Sequence, residues 1–185
     1  MNLNYYKQYE DVLDPKFSTE GAACFDIHAY LKPGTVVKCY DENNEVYTQT
    51  VSDVETSLIP GLEFLFAETN PANSVIVPSG SRVMIPTGII LDIPKYFSVR
   101  VHSRSSLALK QGLRLANSEG IIDYDYVDPL YIVMHNTSKV NVVISNGNRI
   151  AQCELIPMLK YQLQESTQAP EAKTDRIGGF GSTGQ

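Results

Sequence analysis

Apolar and polar positions alternate along most of this chain in runs too short for helices. In YFSVRVH, residues 96 to 102, Phe97, Val99 and Val101 fall on one face and Ser98, Arg100 and His102 on the other, the two-residue period of a half-buried strand. RVMIPTGIILDIP, PLYIVMH, VNVVIS and IAQCELI are further β-rich runs, bounded by Pro, Gly and Asn. Many short strands with few helical patterns predict an all-β sandwich or barrel. Pro86 and Pro94 suit strand ends, edges or bulges, because proline has no N–H for a ladder. One short helix is expected in SRSSLALKQGL, with Ser105 or Ser106 as N-cap and Gly112 closing the C-terminus.

The strand pattern lapses in two places. Residues 38 to 77 read as an insertion, polar and acidic, in which only LIPGLEFLF offers apolar mass; it is expected as a surface excursion with local strands or an interaction element. From 164 to 175, QESTQAPEAKTD has linker composition, and RIGGFGSTGQ follows with four glycines. The chain therefore divides into a β domain over 1–163, carrying the insertion, and a flexible linker and arm over 164–185. With 185 residues, one domain with a sizeable core suffices.

Charge changes this picture in one respect. The net charge of −6 argues against nucleic-acid binding. Between Lys38 and Val77, however, seven acids face a single base, and the rest of the chain is balanced. An anion site elsewhere need not oppose the net charge. Cys24, Cys39 and Cys153 are odd in number with no CxxC, and His28, His102 and His135 have no ligand spacing, so neither a disulfide framework nor structural zinc is expected. No run is long enough to span a membrane, and the N-terminus lacks the order of a signal peptide. A soluble, cytoplasmic protein is expected.

Four segments carry candidate chemistry. Arg104 and the hydroxyls of Ser105 and Ser106 stand where a helix would begin, so free N–H groups and the positive dipole end would favour an anion. In NSEGIIDYDY, 117 to 126, the turn Asn-Ser-Glu-Gly between two β-like pieces predicts a hairpin, with Asp123 and Tyr126 just past its tip. GNRIAQ is a turn leading into a strand with Arg149 and Gln152. In the terminal arm, glycines would let backbone approach a ligand closely, Arg176, Ser182 and Thr183 could donate to an anion, and Phe180 offers a flat face.

In order, GAACFDIHA, SRSSLA, NSEGIIDYDY, NRIAQ and RIGGFGSTG resemble the five motifs of the trimeric dUTP diphosphatases, the dUTPases. The resemblance implies a distorted jelly-roll or β-barrel with one short helix, assembled as a homotrimer whose subunits share active sites. It implies hydrolysis of dUTP to dUMP and pyrophosphate, which keeps uracil out of DNA and supplies dUMP for thymidylate synthesis. Asp123 would orient the water that attacks the α-phosphorus. Tyr126 would lie against deoxyribose and exclude UTP, while Asn117 and the backbone from Gly120 to Ile122 would read uracil. The phosphates would fall to Arg104, Ser105, Ser106, Gln152, Arg176, Ser182 and Thr183, with Gly179 and Gly181 giving close approach and Phe180 covering the base. Mg2+ would be held mainly by the triphosphate, with Asp26 reaching it through water. Arg149 would tie down the turn before its strand.

The chain departs from the family pattern at Ser106, usually glycine, at Asp128, also commonly glycine, and in a fifth motif one residue short. The insertion is similar to extra segments of phage-type members, which would place the protein in a host cytoplasm. Two rival readings differ in class. The dCTP deaminases share RSSLA, but LYIVMHN carries no acid where theirs has the deaminating carboxylate. A regulatory role, with the acidic insertion as a protein-binding surface, could coexist with hydrolysis.

Overall fold

A computed structural model describes residues 1–55 and 71–175. Within them the chain forms β1 (Asn4–Lys7), β2 (Lys16–Phe17), β3 (Phe25–His28), β4 (Val36–Tyr40), β5 (Val46–Thr50), β6 (Ser74–Val77), β7 (Arg82–Pro86), β8 (Ile89–Asp92) and β9 (Phe97–His102). Then come α1 (Ser105–Gln111), β10 (Leu113–Leu115), β11 (Gly120–Ile122), β12 (Tyr131–Asn136), β13 (Val142–Ser145) and β14 (Arg149–Pro157). Two five-stranded sheets, ordered β10-β12-β7-β4-β5 and β11-β9-β14-β3-β2, make up the body, and β1-β8 and β13-β6 add two short pairs. All the pairings are antiparallel. The expected all-β class, with its one short helix, is what the structure shows.

Strand alternation builds the core. Val37 and Cys39 of β4, Val83 and Ile85 of β7, and Ile132 and Met134 of β12 turn inward from one sheet; Ile27, Val99, Val101, Ala151 and Cys153 turn inward from the other. Each inward position is followed by one facing away, the arrangement of two packed antiparallel sheets. Pro86 ends β7 and Pro157 ends β14, and Pro94 follows β8, so no proline interrupts a central ladder.

Three local expectations need correction. The helix has Arg104, in extended conformation, as its N-cap, without a side-chain cap; the hydroxyls of Ser105 and Ser106 are not used that way. Gly112 does close it, at φ +66°. The stretch 38–77 is not an appendage at its ends. β4 and β5 lie within one five-stranded sheet, and buried Gln49 joins β5 to β6 by donating from Nε2 to the Ile76 carbonyl at 2.6 Å and accepting from the Ile76 N–H at 3.0 Å. That side chain stands in for a missing ladder pair, leaving none of its amide wasted. Residues 56–70, the middle of the acidic stretch proposed as a protein-binding surface, lie outside the described residues.

The third correction concerns the motif around 117 to 126. β10 and β11 do not form a hairpin: β10 pairs with β12 in one sheet and β11 with β9 in the other. The turn between them therefore crosses from sheet to sheet. Its tightness comes from Ser118 at φ +61° and a hydrogen bond from the Glu119 N–H to the Asn117 carbonyl at 2.7 Å. Local turn chemistry reads alike in both cases, whereas pairing depends on partners distant in sequence.

Candidate active site

The face of the second sheet that points away from the core carries a row of polar side chains. Register aligns Lys16, Asp26, Gln152 and His102 across β2, β3, β14 and β9. Asp26 is 6% exposed, and burial alone would push its pKa up. Hydrogen bonds from Ser18 and Arg149 and the charges of Arg104 and Arg149 outweigh that and hold it below the usual 3.8. Ser18 Oγ donates to Asp26 Oδ2 at 2.6 Å, Arg149 Nη1 to the same oxygen at 3.1 Å, and Arg104 Nε to Oδ1 at 3.0 Å. Arg104 also reaches the Arg149 carbonyl at 3.3 Å. One carboxylate thus fixes two guanidiniums side by side.

A register shift in β14 makes this geometry. Arg149 lies opposite His28 and Ala151 opposite Ile27, so Ile150 is an extra residue. Without the bulge Arg149 and Gln152, three apart, would point to opposite faces; with it both share the face of Asp26. Gln152 is itself oriented by donating to the Ser103 carbonyl at 3.2 Å. Next to this cluster α1 begins, with Ser105 and Ser106 exposed, and a cavity of about 320 Å3 lies among Arg104, Ser106, Leu107, Asn148 and Arg149. Its size suits a small ligand, and its donors suit an anion.

The other predicted residues gather elsewhere. Asn117, Gly120 and Ile122 line a cavity of about 90 Å3 with Val101, Leu115 and Ile132. That is room for only a few waters at roughly 30 Å3 each. A Cβ on Gly120 would stand 3.0 Å from Val101 Cβ, so glycine is what lets β11 approach β9 there. Asp123 and Tyr126 are exposed. The Tyr126 N–H closes a turn onto the Asp123 carbonyl at 3.1 Å, and its hydroxyl donates to the Pro129 carbonyl at 3.0 Å.

The two groups do not meet within one chain. On β9, Gly120 and Ile122 lie opposite the inward-facing Val101 and Val99, whereas Gln152 lies opposite His102 on the outward face, so the two groups use opposite faces of the sheet. Asp123 continues away from that row. Arg176, Gly179, Phe180, Gly181, Ser182 and Thr183 lie outside the described residues. Sequence reasoning missed Ser18 as a partner of Asp26, since a serine eight residues before an aspartate carries no signal until β2 and β3 pair. It also missed that Asp26, expected to reach Mg2+ through water, pairs with two arginines. Among the described residues no cluster of His, Cys, Asp or Glu could by itself hold a metal ion, and no helix is long and apolar enough to cross a membrane.

Comparison with known proteins fits this arrangement. A family model described as dUTPase matches residues 70–184. A deoxyuridine 5'-triphosphate nucleotidohydrolase of Hydrogenobaculum sp. is 37% identical over 110 residues, covering 60% of this chain and 76% of that protein. Among solved structures, a mutant of the Staphylococcus bacteriophage 80alpha dUTPase with dUpNHpp superposes with a TM-score of 0.70 at 16% identity, over 100% of this chain and 99% of that one. A mutant dUTPase from phage phi11 of S. aureus, whose structure details the coordination of a structural Mg(II) ion, gives 0.62 at 16% identity over 91% and 98%. At that identity the two structures speak for the fold; the sequence matches speak for descent. The chain belongs to the dUTPase family.

Proposed function

We propose that the protein hydrolyses dUTP to dUMP and pyrophosphate, as a homotrimer whose sites form between subunits. The observation that carries this is the convergence of Arg104, Arg149 and Gln152 around Asp26 on one sheet face, beside the exposed start of α1, in a chain of the dUTPase family. The arginines, held in place before any ligand arrives, suit a triphosphate because no side-chain reorganisation is needed when it binds. The separation of Asp123 and the small cavity at Asn117 from that face supports a site completed by another subunit.

In this reading the nucleotide lies with its phosphates against Arg104, Ser105, Ser106 and Gln152. Its uracil edge meets Asn117 and the Gly120–Ile122 backbone of a neighbouring subunit. Tyr126 stacks against deoxyribose and leaves no space for a 2′-hydroxyl. Asp123 orients a water and takes its proton as the water oxygen bonds to the α-phosphorus, and the bond from that phosphorus to the oxygen bridging it to the β-phosphate breaks, releasing pyrophosphate. The arm's Arg176, Ser182, Thr183 and Phe180, with Gly179 and Gly181 for close approach, close over the nucleotide. A magnesium ion, when bound with the triphosphate, neutralises phosphate charge. The residues fit such an ion only as an outer partner. Asp26 stays ionised, and a carboxylate has about four acceptor positions, of which Ser18, Arg104 and Arg149 engage three.

The test is pyrophosphate release with Mg2+ across dUTP, UTP and the four common dNTPs. Rapid release from dUTP alone is expected. Intact dUTP, or equal cleavage of UTP, overturns the reading.

A further inference from the structure

The turn that carries Asn117 is poorly supported by its own backbone. It crosses between sheets rather than closing a hairpin, Ser118 sits at φ +61°, and β11 offers only three residues of pairing with β9. A left-handed non-glycine residue persists where surrounding contacts over-determine it. Beside the local backbone bonds from Ser118 N–H to the Leu115 carbonyl at 3.4 Å and from Glu119 N–H to the Asn117 carbonyl at 2.7 Å, one side chain ties the turn to the sheet. Glu119 presents Oε2 to Arg100 Nη1 at 3.5 Å and Oε1 to His102 Nδ1 at 3.7 Å. His102 then joins Glu154 of β14 through Nε2 at 3.0 Å. Arg100 lies opposite Glu154, and His102 opposite Gln152, in the β9–β14 register, so all four side chains belong to the face that holds the phosphate-directed row.

We infer that His102 is a positioning residue which, bridging Glu119 to Glu154, latches the Asn117–Gly120 turn onto the sheet and so sets the geometry of uracil recognition. This rests on the dUTPase reading above. None of the four side chains needs to touch nucleotide. The imidazolium form suits the task because both ring nitrogens then carry N–H groups, which point in different directions and donate to two carboxylates at once; the neutral ring donates to one of them. Alanine at 102 leaves Glu119 with Arg100 alone and Glu154 without its histidine. Arginine at 102 keeps a planar fork of donors for both acids.

The experiment compares His102→Ala, His102→Arg and Glu119→Gln in the full chain. It uses steady-state dUTP hydrolysis and amide hydrogen exchange over residues 117–122 in the absence of nucleotide. Glu119 is held by ion pairs at 3.5 and 3.7 Å on a half-exposed side chain, so their loss predicts a KM for dUTP raised about two- to five-fold in H102A and E119Q, with kcat nearly unchanged and exchange of the turn accelerated. H102R should bring both back toward wild type. An unchanged KM with unchanged exchange overturns the inference, as does a fall in kcat at constant KM, which would place His102 in the chemistry. Faster exchange in β4 and β7 as well would mark a general loss of structure, and H102R then decides: failure to restore the turn alone counts against the latch. If the wild-type protein does not hydrolyse dUTP, the dUTPase reading fails, while the exchange arm still decides whether the turn is latched.

Discussion

The Asp26 cluster and the 117–126 segment both hold predicted site residues, yet they are built in opposite ways. Asp26, Arg104 and Arg149 are joined across β3, β14 and the end of β9, in the middle of a five-stranded sheet, with each contact between 3.0 and 3.1 Å. The 117–126 segment is exposed for most of its length, is tied by few hydrogen bonds, and turns from one sheet to the other. A charged receptor for phosphate works best when rigid, since its dipoles must already point at the ligand. A base pocket that must admit and release substrate gains from a surface completed by a second element. Under the function proposed above, the contrast teaches that one chain would supply a finished anion cradle and an unfinished base pocket.

The comparison can be broken at either end. The largest effect is expected from Asp123→Asn, which touches no contact of the sheet cluster. It should leave the fold and nucleotide binding intact and slow pyrophosphate release by about 10²–10⁴-fold, the usual share of a positioned base. Near-normal turnover would mean that another group handles the water.

Next is Asp26→Ala. Removing it strands two guanidiniums beside each other, one of them 18% exposed. The cost expected is about 3 kcal/mol, toward the lower end for a broken buried pair because Arg149 is 47% exposed. Thermal unfolding measures it. Unchanged stability would show that the cluster is not braced through Asp26.

Acid gives a milder version of the same perturbation. The Asp26 pKa is lowered in the folded protein from 3.8, so its stabilisation is fully present above that ordinary value and is lost as pH falls through the lower folded value. The Tm difference between wild type and Asp26→Asn should therefore shrink as pH drops below about 4. A difference that persists in strong acid would argue against charge as its source. The smallest effect belongs to Ser18→Ala, about 1 kcal/mol for one hydrogen bond, with Arg149 still paired to Asp26. Activity that falls far more than stability would make Ser18 a ligand of substrate rather than a brace.

Parts of the β body were plain from the residues. YFSVRVH became β9 and IAQCELI the body of β14, because alternation reports which side of a strand meets the core whatever strand lies next to it. The acidic stretch was read less well. Lys38–Tyr40 and Val46–Thr50 are charged and polar enough to read as part of a surface excursion with local strands, yet Cys39 and Gln49 are buried within the body's own sheet. An edge strand such as β5 needs few apolar residues, so composition alone conceals it.

By itself the sequence determined the all-β class, the short helix ending at Gly112 and the ordered motifs, since period, turn residues and local order are properties of neighbouring residues. Only the tertiary structure decided that a bulge at Ile150 turns Arg149 toward Asp26, that Ser18 joins them, and that β10 and β11 part into different sheets. Those outcomes depend on register between strands far apart in the chain, and a shift of one residue there exchanges one face for the other.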